Sequence, residues 1–321
     1  GTFIVKKSIS YKFLMELLLE QEGSLHRFCL KHGVSESYTR RNIKALVDFI
    51  HGYNLSVVIS SVRISGDERI VRILFNFLIW SCTLGDEFPE PTFTQRQISA
   101  ALDPVLQYPP KTTSPYSDQQ RHVHVEILYQ RVRNGHFVTD DPNYDLFMQG
   151  NYTGIVEPLQ RLMSIHPDRA TDEARFLAFM AFYGPTYSFE DDPLFDLPKE
   201  ELDQRSPILF KFINIFRKEI LWPVLGAESN SKRLVLLEAN LVNIFFDYLI
   251  FQQSIPFFTM LQREEIEEKK SELFEVTCQR IEDMFNRYFQ QEEDAWISRC
   301  SPEMSQMLTY LVLPSLKEHQ R

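Results

Sequence analysis

Residues 24–46 carry the sequence SLHRFCLKHGVSESYTRRNIKAL, which decides the fold of the first part of the chain. Ser24 can cap a short helix of eight residues, because serine is a preferred N-cap and the apolar side chains have helical spacing. Gly33 then supplies the positive φ that a sharp turn needs. Ser35 can cap a longer helix that ends near Ile50. A short helix, a glycine-containing turn and a longer helix predict a helix-turn-helix.

The flanking segments predict a winged form of this motif. Upstream, Ser8 can cap a first helix whose apolar residues have helical spacing. After Gly52 the apolar period changes from 3.6 to 2, which predicts two short strands joined near Ser60-Ser61. A helix rich in Ile, Leu and Phe follows to about Thr83. We therefore predict a winged helix-turn-helix over residues 1–85.

The start of the longer helix contains side chains suited to DNA. They bear hydroxyl or basic groups: Ser35, Ser37, Tyr38, Thr39, Arg40, Arg41 and Lys44. The apolar stripe predicted to face the core is Tyr38, Ile43, Leu46, Val47 and Ile50. A recognition helix presents its N-terminal part to the major groove, where arginine can bridge guanine O6 and N7 or bind a phosphate. We predict Arg40, Arg41 and Lys44 as the main DNA contacts, and Arg63 in the wing as a phosphate contact.

Charge is distributed unevenly along the chain. Residues 1–72 carry a formal charge of +4, whereas the remainder carries −14. A basic end on an acidic protein favours a nucleic-acid-binding module attached to a body that does not bind nucleic acid.

The rest of the chain predicts helical bundles, so the fold class is mostly α. A linker candidate, Phe88-Pro89-Glu90-Pro91, lies at the beginning of a first bundle over residues 86–197. The acidic, proline-rich stretch 184–207 indicates an interdomain linker, and long helices follow in a second bundle over residues 198–321. Expected helices in this part include 208–225 and 260–290.

Several classes of protein are disfavoured. There is no apolar run of about 18 residues and no visible signal peptide, so we expect a cytoplasmic protein. The four cysteines form no C-x-x-C pair, which argues against a zinc ribbon and a disulfide scaffold. No P-loop, Rossmann, G-x-S-x-G or H-E-x-x-H pattern is present, so we expect no enzyme activity, no metal and no cofactor.

The segment from Tyr11 to Trp80 resembles the helix-turn-helix domain of the Mga-type (Mga/AtxA-like) virulence regulators of Gram-positive bacteria. The matching features are VSESYTRRNIKAL at Val34–Leu46, GYNL at Gly52–Leu55 and ISGDERIVR at Ile64–Arg72. The resemblance implies a transcription regulator that binds promoter DNA as a homodimer. It also implies two helical phosphotransferase-system regulation domains (PRD) in the body. Family members usually carry a further helix-turn-helix before this one and an enzyme-IIB-like domain at the end, so we expect this chain to be a fragment or a truncated relative.

The resemblance further implies control by histidine phosphorylation, with a phosphocarrier or enzyme II component of the sugar phosphotransferase system as the donor. The candidate phosphoacceptors are His122, His124 and His166. His122 and His124 are expected to flank an apolar helix stripe on opposite sides, reachable from the surface, and too far apart in angle to share a metal. Arg121 and Arg131 are expected to pair with an added phosphate.

A second hypothesis belongs to a different class. In it the helix-turn-helix is vestigial and the chain is a protein-interaction or oligomerisation module. Duplex binding that weakens steeply with salt would distinguish a DNA-binding protein from such a module.

Overall fold

A computed structural model describes most of the chain. The described residues are 6–83, 88, 91–102, 115–145, 152–182, 206–225, 232–256, 272–291 and 295–319. Within these ranges helices dominate, and the sheet structure is a single two-stranded antiparallel hairpin. The prediction of a mostly α fold with an N-terminal helix-turn-helix and a short hairpin is confirmed. Within the same ranges no helix is both long enough and apolar enough to cross a lipid bilayer.

The first part of the chain has the predicted order of helices and strands. The elements are α1 (Ile9–Leu19), α2 (Leu25–His32), α3 (Glu36–His51), β1 (Ser56–Val58), β2 (Arg63–Ser65) and α4 (Glu68–Thr83). Their core is apolar and aromatic, with the rings of Phe13 and Phe28 packed edge to face at 5.6 Å between centroids. Ile43 and Ile50 of α3 are fully buried in the same core.

Local sequence signals explain where these helices begin and end. The side chains of the three predicted N-cap serines, Ser8, Ser24 and Ser35, each accept a hydrogen bond from the backbone N–H three residues later. Gly33 ends α2 with φ of 64°, and its N–H donates to the last carbonyls of that helix. The Val34 N–H donates to the Cys29 carbonyl at 3.1 Å, which completes the turn. The predicted capping residues and the glycine turn are therefore confirmed.

The hairpin is short and packs back against the helix-turn-helix. Its register pairs Ser56 with Ser65 and Val58 with Arg63. At the connecting turn, the Ser60 carbonyl accepts a hydrogen bond of 2.9 Å from the Leu25 N–H, the first residue of α2. The wing is thus joined to the start of α2 and does not project freely.

Further helices follow in the body. They are α5 (Gln95–Leu102), α6 (Pro115–Arg133), α7 (Thr153–Met163) and α8 (Pro167–Phe182). The apolar spacing of the sequence predicts a short helix near residues 157–165, with Pro158 in its first turn, where proline is tolerated. This prediction was wrong, because α7 begins at Thr153 and Pro158 lies inside it.

The chain divides into two compact units. One comprises residues 1–140 and 150–181, and the other comprises residues 141–149 and 182–321. The helix-turn-helix and the body helices α5–α8 therefore belong to one unit. The predicted three domains, with boundaries at residues 85 and 197, stay a prediction.

The second unit is a helical bundle with an aromatic core. Its described elements are a 3₁₀ turn (Pro142–Tyr144), α9 (Pro207–Phe216), a π-helical turn (Arg217–Leu221), α10 (Trp222–Leu225), α11 (Lys232–Phe251), α12 (Glu272–Tyr288) and α13 (Ala295–His319). Phe212 stacks on Phe245 at 4.3 Å and on Phe285 at 6.0 Å between ring centroids. The predicted helix 208–225 is interrupted by the π turn. Most of the linker predicted at 184–207 and the first part of the helix predicted at 260–290 lie outside the described residues.

Candidate nucleic-acid interface and the ion network behind it

The three predicted main DNA contacts lie on the exposed face of α3. Arg40 and Lys44 are 49% and 75% exposed, and Arg41 is also exposed. Because Ile43, Val47 and Ile50 fill the core side of the helix, the basic side chains occupy the opposite side.

Each of these basic side chains has a weak partner on its own helix. Arg40 pairs with Glu36 at 3.8 Å, and Lys44 pairs with Asp48. The Arg41 guanidinium lies over the Tyr38 ring, 5.8 Å from its centroid. Exposed i,i+4 ion pairs contribute only a few tenths of a kcal/mol. DNA phosphates can therefore replace these partners at little cost.

The hydroxyl residues predicted to contact DNA differ in their exposure and in their hydrogen bonds. Ser37 is exposed, and Tyr38 is 44% exposed rather than part of the core stripe. The Ser35 hydroxyl accepts the hydrogen bond from the Tyr38 N–H that caps α3, although the residue itself is exposed.

The helical spacing predicted Tyr38 in the core stripe of α3. The structure places Thr39 there instead. It is fully buried, and its hydroxyl donates to the Ser35 carbonyl at 3.0 Å and lies 3.3 Å from Cys29 Sγ. The reason is spacing, since Thr39 lies one turn before Ile43 on the same side of the helix. Thr39, predicted as a DNA contact, therefore lies in the core and not on the exposed surface of α3.

Arg63 is also used inside the protein. Its Nη1 lies 2.8 Å from Glu20 Oε2, and its side chain remains 39% exposed. The arginine predicted to bind a phosphate from the wing is thus an ion-pair partner of the residue that ends α1. A phosphate contact would have to compete with Glu20.

The comparison with protein-family models agrees with this geometry. The model described as the Mga helix-turn-helix domain matches residues 2–79. Residues 2–79 are therefore similar to a Mga helix-turn-helix domain, and this segment is called the Mga domain here. The matched range covers α1–α3, the hairpin and most of α4, and therefore every residue of the exposed α3 surface. Comparison with curated proteins finds no match to the chain.

A buried ion network lies behind the Mga domain. It contains three carboxylates, three guanidinium groups and one imidazole: Glu20, Glu68, Glu173, Arg63, Arg72, Arg131 and His136. Arg131 is 1% exposed and makes a bidentate contact with Glu68 at 2.9 and 2.8 Å. Its third contact is to Glu20 at 3.1 Å.

Arg72 extends this network into α8. It is 3% exposed and contacts Glu68 at 3.0 Å, the His136 carbonyl at 3.1 Å and both carboxylate oxygens of Glu173. Burial disfavours the ionised form of Glu68, but the Arg131 and Arg72 guanidiniums outweigh this effect and hold its pKa below the usual value. The network therefore contains charged, mutually neutralising groups.

The network connects the Mga domain with the body helices of the same unit. Glu20 is the C-cap of α1, Arg63 lies in β2, and Glu68 and Arg72 lie in α4. Arg131 and Glu173 lie in α6 and α8. No local sequence pattern indicates this network, because its partners are far apart in sequence. Arg72 and Glu173, for example, are separated by 101 residues. The one available signal was a set of charged residues inside otherwise apolar helices.

Of the candidate phosphoacceptors, His122 and His124 are less accessible than the sequence predicted. His122 is 12% exposed, and its Nε2–H donates to the Phe93 carbonyl at 2.8 Å. Burial lowers the pKa of His124 to about 4, so its imidazole is neutral at pH 7. Arg131, expected to pair with an added phosphate, is instead buried in contact with Glu20 and Glu68.

His166 is the accessible member of the three. It lies between α7 and α8, directly before Pro167, and its side chain is 72% exposed. Its Nδ1 is 3.3 Å from an oxygen of Asp168. Within the described residues, His, Cys, Asp and Glu side chains form no group of three that could hold a metal ion.

Proposed function

We propose that this chain is a DNA-binding transcription regulator that acts in the cytoplasm on promoter DNA. The observation that carries the proposal is the exposed row of Arg40, Arg41 and Lys44 on α3 of a Mga helix-turn-helix domain. With α3 in the major groove, these cations reach base edges and phosphates, while Ser37 and Tyr38 supply hydroxyl groups. The formal charge of −14 beyond residue 72 disfavours contact between DNA and the body.

The direct test is duplex binding titrated in salt. We expect Arg40→Ala/Arg41→Ala to abolish detectable binding at moderate salt. At low salt the slope of log K against log salt should fall by about two units if both arginines contact phosphates. The matched control is Arg161→Ala/Arg287→Ala, which removes the same charge from two arginines that are 73% and 61% exposed outside the Mga domain.

The control variant should bind like the wild type. If the α3 variant also binds like the wild type while remaining folded, the assignment of α3 as the recognition helix is wrong. If the folded wild type binds no duplex even at low salt, the alternative of a protein-interaction module with a vestigial helix-turn-helix replaces the proposal.

We further propose that phosphorylation by a phosphotransferase-system phosphocarrier or enzyme II component regulates DNA binding. The exposure of His166 supports it as the acceptor in preference to His122, whose Nε2 is hydrogen-bonded to the chain. Incubation with the phosphorylated phosphocarrier, followed by intact-mass measurement, should add one phosphoryl group to the wild type and none to His166→Ala. Equal labelling of the variant would move the assignment to another histidine.

We also propose that the protein binds DNA as a homodimer, because a helix-turn-helix protein usually contacts two half-sites related by a two-fold axis. Sedimentation of the complex with duplex DNA should give two chains for each duplex. One chain for each duplex would refute this proposal.

A further inference from the structure

Glu36 is an acidic residue in the middle of the basic α3 surface. It is the first residue of α3, and its side chain is 46% exposed. Its two carboxylate oxygens lie 3.8 Å from Arg40 Nη2 and 3.8 Å from His26 Nδ1. These partners are themselves exposed, so the carboxylate is oriented by neighbouring side chains and remains open to solvent.

The position of Glu36 has a partial structural explanation. A carboxylate in the first turn interacts favourably with the positive end of the helix dipole. On a surface that approaches phosphates, however, the same carboxylate is repelled by DNA. A residue in this position weakens binding unless the groove offers it a hydrogen-bond donor.

The major groove offers such donors at only two kinds of base. Cytosine presents its N4 amino group and adenine its N6 amino group, whereas guanine N7 and O6 and thymine O4 are acceptors. An ionised carboxylate can only accept hydrogen bonds. Adenine places its N7 acceptor beside the amino group, so cytosine is the base that a carboxylate suits best.

We infer that Glu36 determines sequence specificity by accepting a hydrogen bond from the N4 amino group of a cytosine, an inference that rests on the proposed function. Arg40 lies one turn along the same helix, so Glu36 and Arg40 occupy the same exposed side of α3, the side proposed to enter the groove. Duplexes without an amino group at that position leave the carboxylate unpaired among acceptors and phosphates. Glu36 therefore acts mainly by disfavouring the wrong sites.

The chain offers a matched control on the same helix. Asp48 is exposed at 58% and pairs with Lys44, as Glu36 pairs with Arg40. It lies twelve residues further along α3, which is about 18 Å at 1.5 Å per residue. This distance places it away from the N-terminal part of the helix that contacts bases. Asp48→Asn removes the same charge without removing a base contact.

The experiment selects binding sites from a pool of randomised duplexes with the full chain. We expect the wild type to prefer cytosine at one position by about tenfold. Glu36→Ala should lose that preference and bind the other bases equally well. Glu36→Gln should shift the preference to adenine, because glutamine can bond both N6 and N7 of that base. Asp48→Asn should keep the wild-type preference.

The outcomes separate this inference from the function beneath it. If the wild type enriches a motif and Glu36→Ala enriches the same motif with the same preference at every position, the inference is wrong and the proposed function stands. If the wild type enriches no motif at low salt, both are wrong. Circular dichroism of each variant shows that the comparison is made between folded proteins.

Discussion

Replacing Arg131 with methionine tests the importance of the buried ion network. Methionine fills much of the space taken by the aliphatic part of the arginine side chain. It removes the guanidinium, and with it three contacts to Glu68 and Glu20. Three carboxylates then face two arginines and His136 in an environment where Glu68 and Glu20 are nearly buried. The loss of one partner leaves charge without compensation, which is more costly than the loss of the pair as a whole.

The expected magnitude follows from the burial of Arg131, which is 1% exposed. Removing one partner from a buried ion pair costs about 3–5 kcal/mol. For a unit of this size, each kcal/mol lowers the midpoint of thermal unfolding by about 2–4 °C, so the decrease should be roughly 6–20 °C. Arg131→Met/Glu68→Gln removes both charges and should recover part of this loss.

The three tryptophans allow the first unit to be observed alone. Trp80 lies on α4 in that unit, while Trp222 and Trp296 lie in the second unit. In a Trp222→Phe/Trp296→Phe background, fluorescence of Trp80 reports unfolding of the unit that contains the network. The control is Arg133→Met, which removes an exposed arginine two residues away on the same helix.

A pH series sharpens the test. Because the native environment lowers the pKa of Glu68, its ionised form stabilises the protein above the unfolded pKa of about 4.3. That stabilisation is lost as pH falls through the native pKa, so the difference between wild type and Arg131→Met should shrink in acid. An unfolding free energy for Arg131→Met within about 1 kcal/mol of wild type at pH 7 would refute the reasoning.

Burial sets the direction of two further substitutions, Thr39→Val and Asp247→Asn, and the exposed Ser37→Ala is the control for the first. Thr39→Val removes the buried hydroxyl that donates to the Ser35 carbonyl, so it should lower stability by about 1 kcal/mol without changing DNA affinity. Ser37→Ala should not change stability. Calorimetry measures the stability of each variant, and duplex titration measures its DNA affinity. Burial raises the pKa of Asp247 well above its usual value, so the contribution of Asp247 to the stability of the second unit should fall as pH rises from about 4 toward the native pKa. Asp247→Asn should flatten that dependence in pH-dependent denaturation, and an unchanged slope would contradict it.

Local signals made most of the first 83 residues predictable. Serine caps, the glycine with positive φ at Gly33 and the change from helical to alternating apolar period all act over a few residues, so the chain itself carries them. The exposed face of α3 followed from the same periodicity. The periodicity predicted Tyr38 in the core, but Thr39 is there and Tyr38 is exposed. Neighbouring residues differ in direction by about 100° on a helix, and both residue types are compatible with either side.

The remaining features depend on distant contacts that a local pattern does not contain. Arg63 was assigned to DNA because nothing near it in sequence indicates Glu20 as its partner. Arg131 was assigned to a phosphate for the same reason. The accessibility of His122 depends on the Phe93 carbonyl, which is 29 residues away.

The ion network also limits how this helix-turn-helix domain can be exchanged between proteins during evolution. A recombination event that joined residues 1–85 to a different body would retain Glu68 and Arg72 but lose Arg131 and Glu173. The transplanted domain would then carry buried charges without counterions. Successful exchange requires that α6 and α8 are transferred together with the domain. Otherwise the charged residues of the domain and of the new body must change together. The unit inherited as a module would therefore be larger than the helix-turn-helix segment alone.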